Sequence, residues 1–526
     1  MKNRKRYINA PAGFTFLLLM LLLSACTKKF DEINTNPNAI ATIGDAQIPF
    51  LFSRAEAVGT VNQSNYQVAQ NLFADQYAQY FACVATYFPS DRLVIRQDWV
   101  GAAFNPIYTD VVPQLQSIFA ATDTMSAEHA LASIMWVYSF HKVTDYWGPI
   151  PYFSVGLPGS SVPYDPQDQI YNDFFKRLTE AAAVLQSHKS ETPYGSYDLI
   201  FSGDVNKWIK FANTLRLRLA LRISKVDPAR AKTEAEAAYA GGVLEVSPDE
   251  NALIQRSLKG GDGNGLSIMS DWNEFRMSAS MESVLKGYND PRIGSYFLPA
   301  ATTGSYDGLR NGLTTTQLGD ASNKADANSH VGARWASPSY GGNSNYLATP
   351  QNVMCVAEAY FLRAEGALNG WSMGGTAQEL YEKGITASMT QWGYTDASTV
   401  TAYINSTATP VAPNDYLKSP AMTTIPVKFN AADEATAREQ IATQKWLALF
   451  PDGMEAWADY RRSHVLKLYP VANSDNADIT NTSAQWIRRI PFLLSEQQSN
   501  ATAVKAAVGL LGGPDKVTTP LWWDKN

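Results

Sequence analysis

The chain has 526 residues, of which 45% are hydrophobic, and its net charge is −6 at pH 7. This length and apolar content are ample for a large buried core and permit more than one domain. The acidic balance argues against nucleic acid and against an anionic lipid surface as partners.

The N-terminus has the three parts of a bacterial signal peptide in order. Basic residues within positions 2–6 precede an apolar run over 14–23, which is about half as long as a membrane-spanning helix. The tetrapeptide LSAC at 23–26 resembles a lipobox, at which the signal peptide is cut and the cysteine thiol is acylated. We therefore expect removal of residues 1–25 and a lipid on Cys26. The alternative is an ordinary secretory signal with a chance cysteine.

The expected mature chain begins with a polar tether. Removing residues 1–25 takes away four positive charges and no acidic residue, so the net charge changes from −6 to −10. Residues 26–46 are polar and turn-rich, with NTNPN at 34–38, and are predicted to lead away from the lipid. One acyl chain binds membranes only marginally, whereas several chains anchor firmly. We expect the mature chain to contact the membrane through the lipid anchor only.

Helical periodicity dominates the chain after residue 46 and predicts a mainly α fold. The clearest helix begins at Lys207, where Trp208, Phe211 and Leu215 recur on one face and Pro228 follows the end. Further helices are expected over 47–60, 64–83, 100–121, 126–142, 168–187, 228–240, 277–287 and 434–449.

A second pair of helices is predicted in the C-terminal half. Periodic apolar residues run from Val353 to Leu368, and a glycine-bearing loop separates them from a second helix. In that second helix Ala377, Tyr381 and Gly384 have the small–aromatic–small spacing of a tetratricopeptide repeat. This match is degenerate and does not establish the fold by itself.

Two stretches, 258–350 and 393–433, are rich in Gly, Ser, Asn and Thr. They are too long for simple connections in a compact domain, and loops of that length either carry function or are poorly ordered. The glycine-rich segment 260–265 is similar to a calcium loop in composition only, because it lacks the spaced acidic ligands, and is predicted to be a turn.

Searches for catalytic and metal-binding motifs are negative. The five histidines have no metal-ligand spacing, and the chain has neither a nucleophile elbow nor a phosphate loop. Cys83 and Cys355 lie in apolar helical patterns and are predicted to be buried free thiols rather than a disulfide. We therefore predict no catalytic residue, no metal site and no cofactor.

Several motifs together resemble the SusD/RagB family of starch-binding outer-membrane lipoproteins. They are Cys26 with FDEINTNPN at 30–38, the Lys207 helix, NDPR at 289–292, AEAYFLRAE at 357–365, QKWLALF at 444–450 and EAWADYRR at 455–462. Their order and spacing carry the resemblance, which covers nearly the whole mature chain. It implies a scaffold of tetratricopeptide-like helix pairs with an inserted irregular, loop-rich lobe.

The resemblance also implies the domain organisation. One SusD-like domain is expected over 47–526, with the stretches 258–350 and 393–433 as its loop-rich insertions. Some members of the family hold a structural calcium, so an ion stays open here without being predicted. The helical scaffold is expected mainly over 47–257, 351–392 and 434–462.

The function implied by the resemblance is non-catalytic capture of a nutrient at the outer membrane. Family members sit as a lid on a SusC-like TonB-dependent transporter and deliver oligosaccharides, or in some branches peptides. We expect an oligosaccharide, with a peptide as the runner-up and a lipid-anchored hydrolase as a third hypothesis. We also expect exposure at the cell surface, although Thr27, Lys28 and Lys29 precede the acidic residues that often follow the cysteine directly.

Candidate ligand-binding residues are those loop aromatics that can stack on a sugar, with polar groups beside them. Trp99 and Arg92 lie in a loop between two predicted helices, where the family often places ligand contacts. The alternative is that the loop aromatics pin the lobe onto the scaffold. The candidates in the loop-rich lobe are Trp272, Tyr306, Trp335, Tyr340 and Tyr346.

Other conspicuous residues are predicted to be structural. Asp271 and Glu274 are the best remaining acid pair for a hydrolase, but glycosidase carboxylates are defined by a separation in space. Four tryptophans in helical patterns are predicted to belong to the core: Trp136, Trp208, Trp446 and Trp457. Five charged residues are predicted to form ion pairs that fix one element on another: Asp290, Arg292, Glu358, Arg363 and Glu365.

Overall fold

The computed structural model describes residues 44, 46–156, 161–245, 247–336 and 344–525. The signal peptide, Cys26 and nearly all of the predicted tether lie outside the described residues, so these predictions stay predictions. Ile48–Asn526 forms one compact unit. In the described part of the chain, no helix has both the length and the apolar character needed to cross a membrane.

The described residues contain seventeen α-helices, which we number in chain order. The first nine are α1 Ile48–Gly59, α2 Gln97–Val100, α3 Val112–Ala121, α4 Ala127–Trp147, α5 Gln167–Gln186, α6 Val205–Arg222, α7 Pro228–Ala240, α8 Gly265–Asp271 and α9 Ala279–Gly287. The others are α10 Ile293–Tyr296, α11 Val356–Leu368, α12 Ala377–Gln391, α13 Ala397–Ile404, α14 Glu434–Leu449, α15 Gly453–Ser463, α16 Leu494–Ser499 and α17 Ala501–Leu510.

Four short strands form two antiparallel pairs. β1 (Phe81–Cys83) pairs with β3 (Phe275–Met277), and β2 (Ala252–Ile254) pairs with β4 (Gln351–Met354). The β1–β3 pair joins the helical scaffold to the first part of the loop-rich lobe. The β2–β4 pair brings together the two chain segments that precede and follow that lobe.

The scaffold is built from successive helix pairs, α4 with α5, α6 with α7, and α11 with α12. In α6 the carboxylate of Asp204 caps the first turn by accepting from the backbone N–H groups of Asn206 and Lys207. Trp208 and Phe211 are completely buried on its inner face. This packing of helix pairs confirms the predicted mainly α fold.

The α11–α12 pair depends on a close approach at Gly384. A Cβ atom there would lie 2.8 Å from the buried ring of Phe361. Tyr381, the aromatic residue of the same pattern, is also buried. Its hydroxyl donates a hydrogen bond to the backbone carbonyl of Val427. The ring of Tyr381 also contacts Phe361, with 6.1 Å between the ring centroids, so Tyr381 and Gly384 both contribute to the contact between the two helices.

Gly384→Ala is expected to lower the free energy of unfolding by about 1–3 kcal/mol, because the added methyl group overpacks the Phe361 ring. Gly509 in α17 is the matched control, since nothing lies within 4 Å of a Cβ at that position. Gly509→Ala is expected to stabilise by up to about 1 kcal/mol, as alanine does in an open helix. Urea unfolding of both variants measures the difference, and equal effects would contradict this account of the pair.

The structure corrects two of the predicted helices. The region 64–83 contains a π-helix at Gln67–Asp75 and then β1, because the backbone turns at Gln79 with a positive φ of 51° and Phe81–Cys83 pairs with β3. The region 100–121 begins with a 3₁₀ turn and a π-helix at Ile107–Val111 before α3 starts.

The predicted core and ion pairs are confirmed. Cys83 and Cys355 are free and buried, and the four scaffold tryptophans are at most 5% exposed. Each of the five charged residues has an oppositely charged partner. The pairs are Asp290 with Arg292, Glu358 with Arg218, Arg363 with Glu245, and Glu365 with Arg462 and Lys445. The pair of Asp290 and Arg292 lies within one turn, and Arg292 is joined to α12 and α14 by hydrogen bonds to the neutral Ser388 and Gln444.

Asp75, at the end of the first π-helix, should make stability depend on pH. Burial raises the pKa of this carboxyl to about 7, although Tyr66 and Gln70 donate hydrogen bonds to it. The pKa of Asp75 is higher in the folded than in the unfolded state, so the protonated carboxyl stabilises the fold. This contribution to the free energy of unfolding is lost as the pH rises from about 4 to about 7. We expect Asp75→Asn to gain in melting temperature relative to wild type between pH 5 and 8. A constant difference across that range would contradict the assignment.

Candidate functional site

The pairing of β1 with β3 brings two loops together at one end of this strand pair. Cys83 lies opposite Phe275, so the residues that follow β1 and those that precede β3 are neighbours. The backbone N–H of Val84 donates to the carbonyl oxygen of Glu274 at 2.9 Å. Tyr87, in the first loop, is 67% exposed, and Trp272, in the second, is 49% exposed. The strand pair therefore presents large apolar side chains to solvent from both loops.

Three rings form a continuous edge-to-face series, which we call the aromatic row: Tyr87, Phe88 and Trp99. The ring centroids of Tyr87 and Phe88 are 4.6 Å apart, and those of Phe88 and Trp99 are 5.5 Å apart. Aromatic rings prefer such edge-to-face contacts over a flat sandwich. The guanidinium of the exposed Arg96 lies 4.7 Å from the centre of the Trp99 ring and adds a cation–π contact.

Polar groups border the aromatic row. One carboxylate oxygen of Glu274 accepts from the hydroxyl of Tyr87, and the other accepts from the side-chain amide of Gln67 at 2.6 Å. The hydrogen bond to Glu274 raises the pKa of Tyr87 to about 12, so its hydroxyl stays protonated at neutral pH. Arg96 makes two hydrogen bonds to Asp98, at 2.9 and 2.7 Å. Rings, an amide, a carboxylate and a guanidinium thus share one surface.

Two of the predicted site residues lie on or beside this surface. Trp99 is part of the aromatic row, and Trp272 stands two residues before Glu274 on the neighbouring loop. Arg92 belongs to the same loop as Trp99, but its guanidinium points to Asp475, with 2.6 Å between Nε and Oδ2. Arg92 therefore holds the loop against the C-terminal segment.

The other predicted site residues lie apart from the aromatic row. Trp335 is 3% exposed and packs on Trp392 and Phe450, as expected for a residue that pins the lobe to the scaffold. Tyr306 is partly buried against the core. Tyr346 is partly buried in a short 3₁₀ turn. Tyr340 lies outside the described residues.

Six residues of the surface were not among the predicted ligand-binding residues: Gln67, Tyr87, Phe88, Arg96, Asp98 and Glu274. Tyr87 and Arg96 could have been included because they flank Arg92 in the same loop. Gln67 and Glu274 could not, because their proximity depends on the β1–β3 register and on a hydrogen bond between residues 207 positions apart.

Among the described residues, no group of three or more His, Cys, Asp or Glu side chains is placed to hold a metal ion. The glycine-rich segment is a turn, as predicted, with positive φ angles of 69° and 73° at Gly260 and Gly261. Of the predicted acid pair, Glu274 has both carboxylate oxygens engaged by Tyr87 and Gln67.

Comparison with known families identifies the fold and the class of the protein. The sequence model for the SusD-like family, described as SusD and RagB outer membrane lipoprotein, matches residues 32–524. The chain belongs to the SusD-like family. This SusD-like protein is accordingly a nutrient-binding outer-membrane lipoprotein. No curated protein sequence matches the chain.

Solved structures of SusD homologues superpose on nearly the whole chain. A chitin-binding SusD homologue from Flavobacterium johnsoniae is 35% identical, with a TM-score of 0.82, and the match covers 91% of this chain and 98% of that one. A SusD homologue from Bacteroides uniformis is 32% identical, with a TM-score of 0.82 and coverage of 92% and 100%. A structure described as a chitin-binding protein is 27% identical, with a TM-score of 0.74 and coverage of 91% and 100%.

Proposed function

We propose that this SusD-like protein is a non-catalytic binding protein that captures a neutral oligosaccharide on the aromatic row. The observation that carries the proposal is the exposure of Tyr87 beside Phe88 and Trp99, with hydrogen-bonding side chains at its edge. A sugar offers C–H faces that pack on rings and hydroxyls that need donors and acceptors. The surface supplies both kinds of group.

Among oligosaccharides, we propose a chitin-type chain of N-acetylglucosamine. Two of the similar structures are described as chitin-binding, and one of them is 35% identical to this chain. An N-acetyl group presents an amide that Gln67 or the carboxylate of Glu274 can engage, and its methyl group can pack on a ring. A neutral chain also suits a protein whose expected mature chain has a net charge of −10.

The proposed setting is the cell surface, with a lipid on Cys26. Several acyl chains on this cysteine would hold the protein at the outer membrane while the domain stays in water. We propose that it passes the sugar to a SusC-like TonB-dependent transporter, as the family resemblance implies. Both carboxylate oxygens of Glu274 accept hydrogen bonds, from Tyr87 and Gln67, which fix this side chain at the edge of the proposed binding surface.

Isothermal titration of residues 27–526, the expected mature chain without its lipid-bearing cysteine, tests this proposal. The panel contains oligomers of N-acetylglucosamine, glucose and galactose together with mixed peptides. We expect the N-acetylglucosamine oligomers to bind most tightly. Binding of peptides alone would support the peptide hypothesis in place of the oligosaccharide. Release of shortened sugar products would support the hydrolase hypothesis instead.

A further inference from the structure

A cavity lies against the loop that carries the aromatic row, where Leu93 is one of its lining residues. It has a volume of about 110 Å³ and is formed by the end of the first π-helix, by α15 and by two C-terminal segments around residues 468–471 and 482–487. We call it the rear cavity. Five of its lining residues are aromatic: Tyr77, Trp457, Tyr460, Tyr469 and Trp486.

The rear cavity is lined by buried polar atoms that lack hydrogen-bond partners within the described part of the chain. Gln76 is only 3% exposed, yet neither its amide nitrogen nor its amide oxygen has a partner. The hydroxyl of Tyr77 and the indole N–H of Trp486 are also buried and unpartnered. Buried polar groups in folded proteins are nearly always hydrogen-bonded. Four such atoms around one cavity indicate that something polar satisfies them there.

Backbone conformation gives an independent observation. Two lining residues that are not glycine have positive φ angles, 51° at Gln79 and 68° at Leu93. Such conformations are strained for residues with a side chain and cluster at sites that clamp ligands. At Leu93 the strained turn is tied down by Asn476, whose side-chain amide donates to the Leu93 carbonyl at 2.8 Å. This hydrogen bond supports the part of the cavity wall that Leu93 forms.

The chemistry of the lining selects the ligand. None of the residues that line the rear cavity is charged, which favours a neutral ligand. The guanidiniums of Arg310 and Arg461 pack on the lining rings of Tyr469 and Trp457 but are not part of the lining. The ring centroids of Tyr77 and Trp457 are 5.1 Å apart, and those of Tyr460 and Trp486 are 6.2 Å apart. The amide of Gln76 can both donate and accept, the indole N–H can only donate, and the phenol can do either. Apolar rings beside mixed donors and acceptors suit a hydroxylated ring.

We propose that the rear cavity binds one neutral monosaccharide unit, held by hydrogen bonds to Gln76, Tyr77 and Trp486 and packed against the surrounding rings. The unit enters from the side of Thr482 and Ser483, which is open to solvent. It is either a free monosaccharide or the terminal unit of an oligosaccharide. This site is separate from the aromatic row and does not depend on the function proposed for that surface.

Ligand-observed NMR titration of residues 27–526 with N-acetylglucosamine, glucose and their trimers tests the proposal. Trp486→Phe keeps a ring and removes the N–H, Tyr77→Phe removes only the hydroxyl, and Gln76→Leu removes the amide. We expect each to weaken monosaccharide binding at least ten-fold, whereas Tyr416→Ala, at an exposed tyrosine that belongs neither to the aromatic row nor to the lining of the rear cavity, leaves it unchanged. If only the trimers bind in the rear cavity, each of the three substitutions is made in protein that already carries Trp99→Ala. Each is then expected to weaken trimer binding.

Two results would overturn the proposal. One is the absence of saturable binding by every sugar at millimolar concentration. The other is binding that Gln76→Leu and both phenylalanine variants leave intact while Trp99→Ala abolishes it, which would assign the sugar to the aromatic row. Circular dichroism and melting temperature show whether each variant is folded, and the two phenylalanine variants keep the test valid if Gln76→Leu does not fold.

Discussion

Replacing Trp99 with alanine is expected to weaken oligosaccharide binding by about ten-fold or more, which corresponds to about 1.4 kcal/mol. Trp99 ends the aromatic row and packs edge-on against Phe88 at 5.5 Å, while Arg96 covers its face. Its removal takes away a stacking platform and frees Arg96 to move. Tyr87→Ala is expected to have a similar effect, because it removes the most exposed ring and one of the donors to Glu274.

Tyr416→Ala is the matched control for Tyr87→Ala, since Tyr416 is also an exposed tyrosine, at 41%, and lies far along the chain at the other loop-rich stretch. Titration calorimetry with each variant gives the affinities, and melting temperatures show whether the fold is intact. Affinity that is unchanged in both Trp99→Ala and Tyr87→Ala would remove the aromatic row as the ligand site. An equal loss in Tyr416→Ala would indicate a nonspecific effect.

The largest expected effect on stability is at Asp290, where alanine should lower the free energy of unfolding by about 3–5 kcal/mol. The guanidinium of Arg292 makes two hydrogen bonds to the Asp290 carboxylate, at 2.9 and 2.6 Å, and both side chains are 0% exposed. The remaining neighbours of that guanidinium, such as Ser388 and Gln444, are neutral. Removing the carboxylate leaves a buried, uncompensated positive charge.

Glu434→Ala provides the control, because the pair that Glu434 forms with Arg438 is largely exposed and contributes only about 0–1 kcal/mol. The double variant Asp290→Leu with Arg292→Met should recover much of the lost stability, since it removes both charges and keeps side-chain volume. Denaturant unfolding measures all three variants. A loss for Asp290→Ala no larger than that for Glu434→Ala would contradict the assignment of this pair as a buried structural element.

The regular part of the fold was predictable because its signals are local. The helix predicted over 434–449 matches α14, and the one predicted over 228–240 matches α7, to the residue. Periodic apolar residues and capping side chains specify such helices without reference to distant contacts. The strand Phe81–Cys83 was missed because a short, fully buried apolar run looks the same as part of a buried helix.

The candidate site was only partly predictable, because exposure is a property of the folded chain. Trp99 and Trp335 look alike in sequence, since both stand in segments without strong helical periodicity. Trp335 is nevertheless buried against Trp392 and Phe450, whereas Trp99 stands beside the exposed Tyr87. The polar edge of the surface depends on the β1–β3 register, which places Glu274 beside the loop after β1.

A crystal structure of the mature chain with a bound N-acetylglucosamine oligomer tests the central claim most directly. The account predicts sugar rings stacked on Tyr87 and Trp99, with hydroxyl or N-acetyl groups within hydrogen-bond distance of Glu274, Gln67 or Arg96. Electron density for the oligomer elsewhere on the protein, with the aromatic row bare, would contradict it.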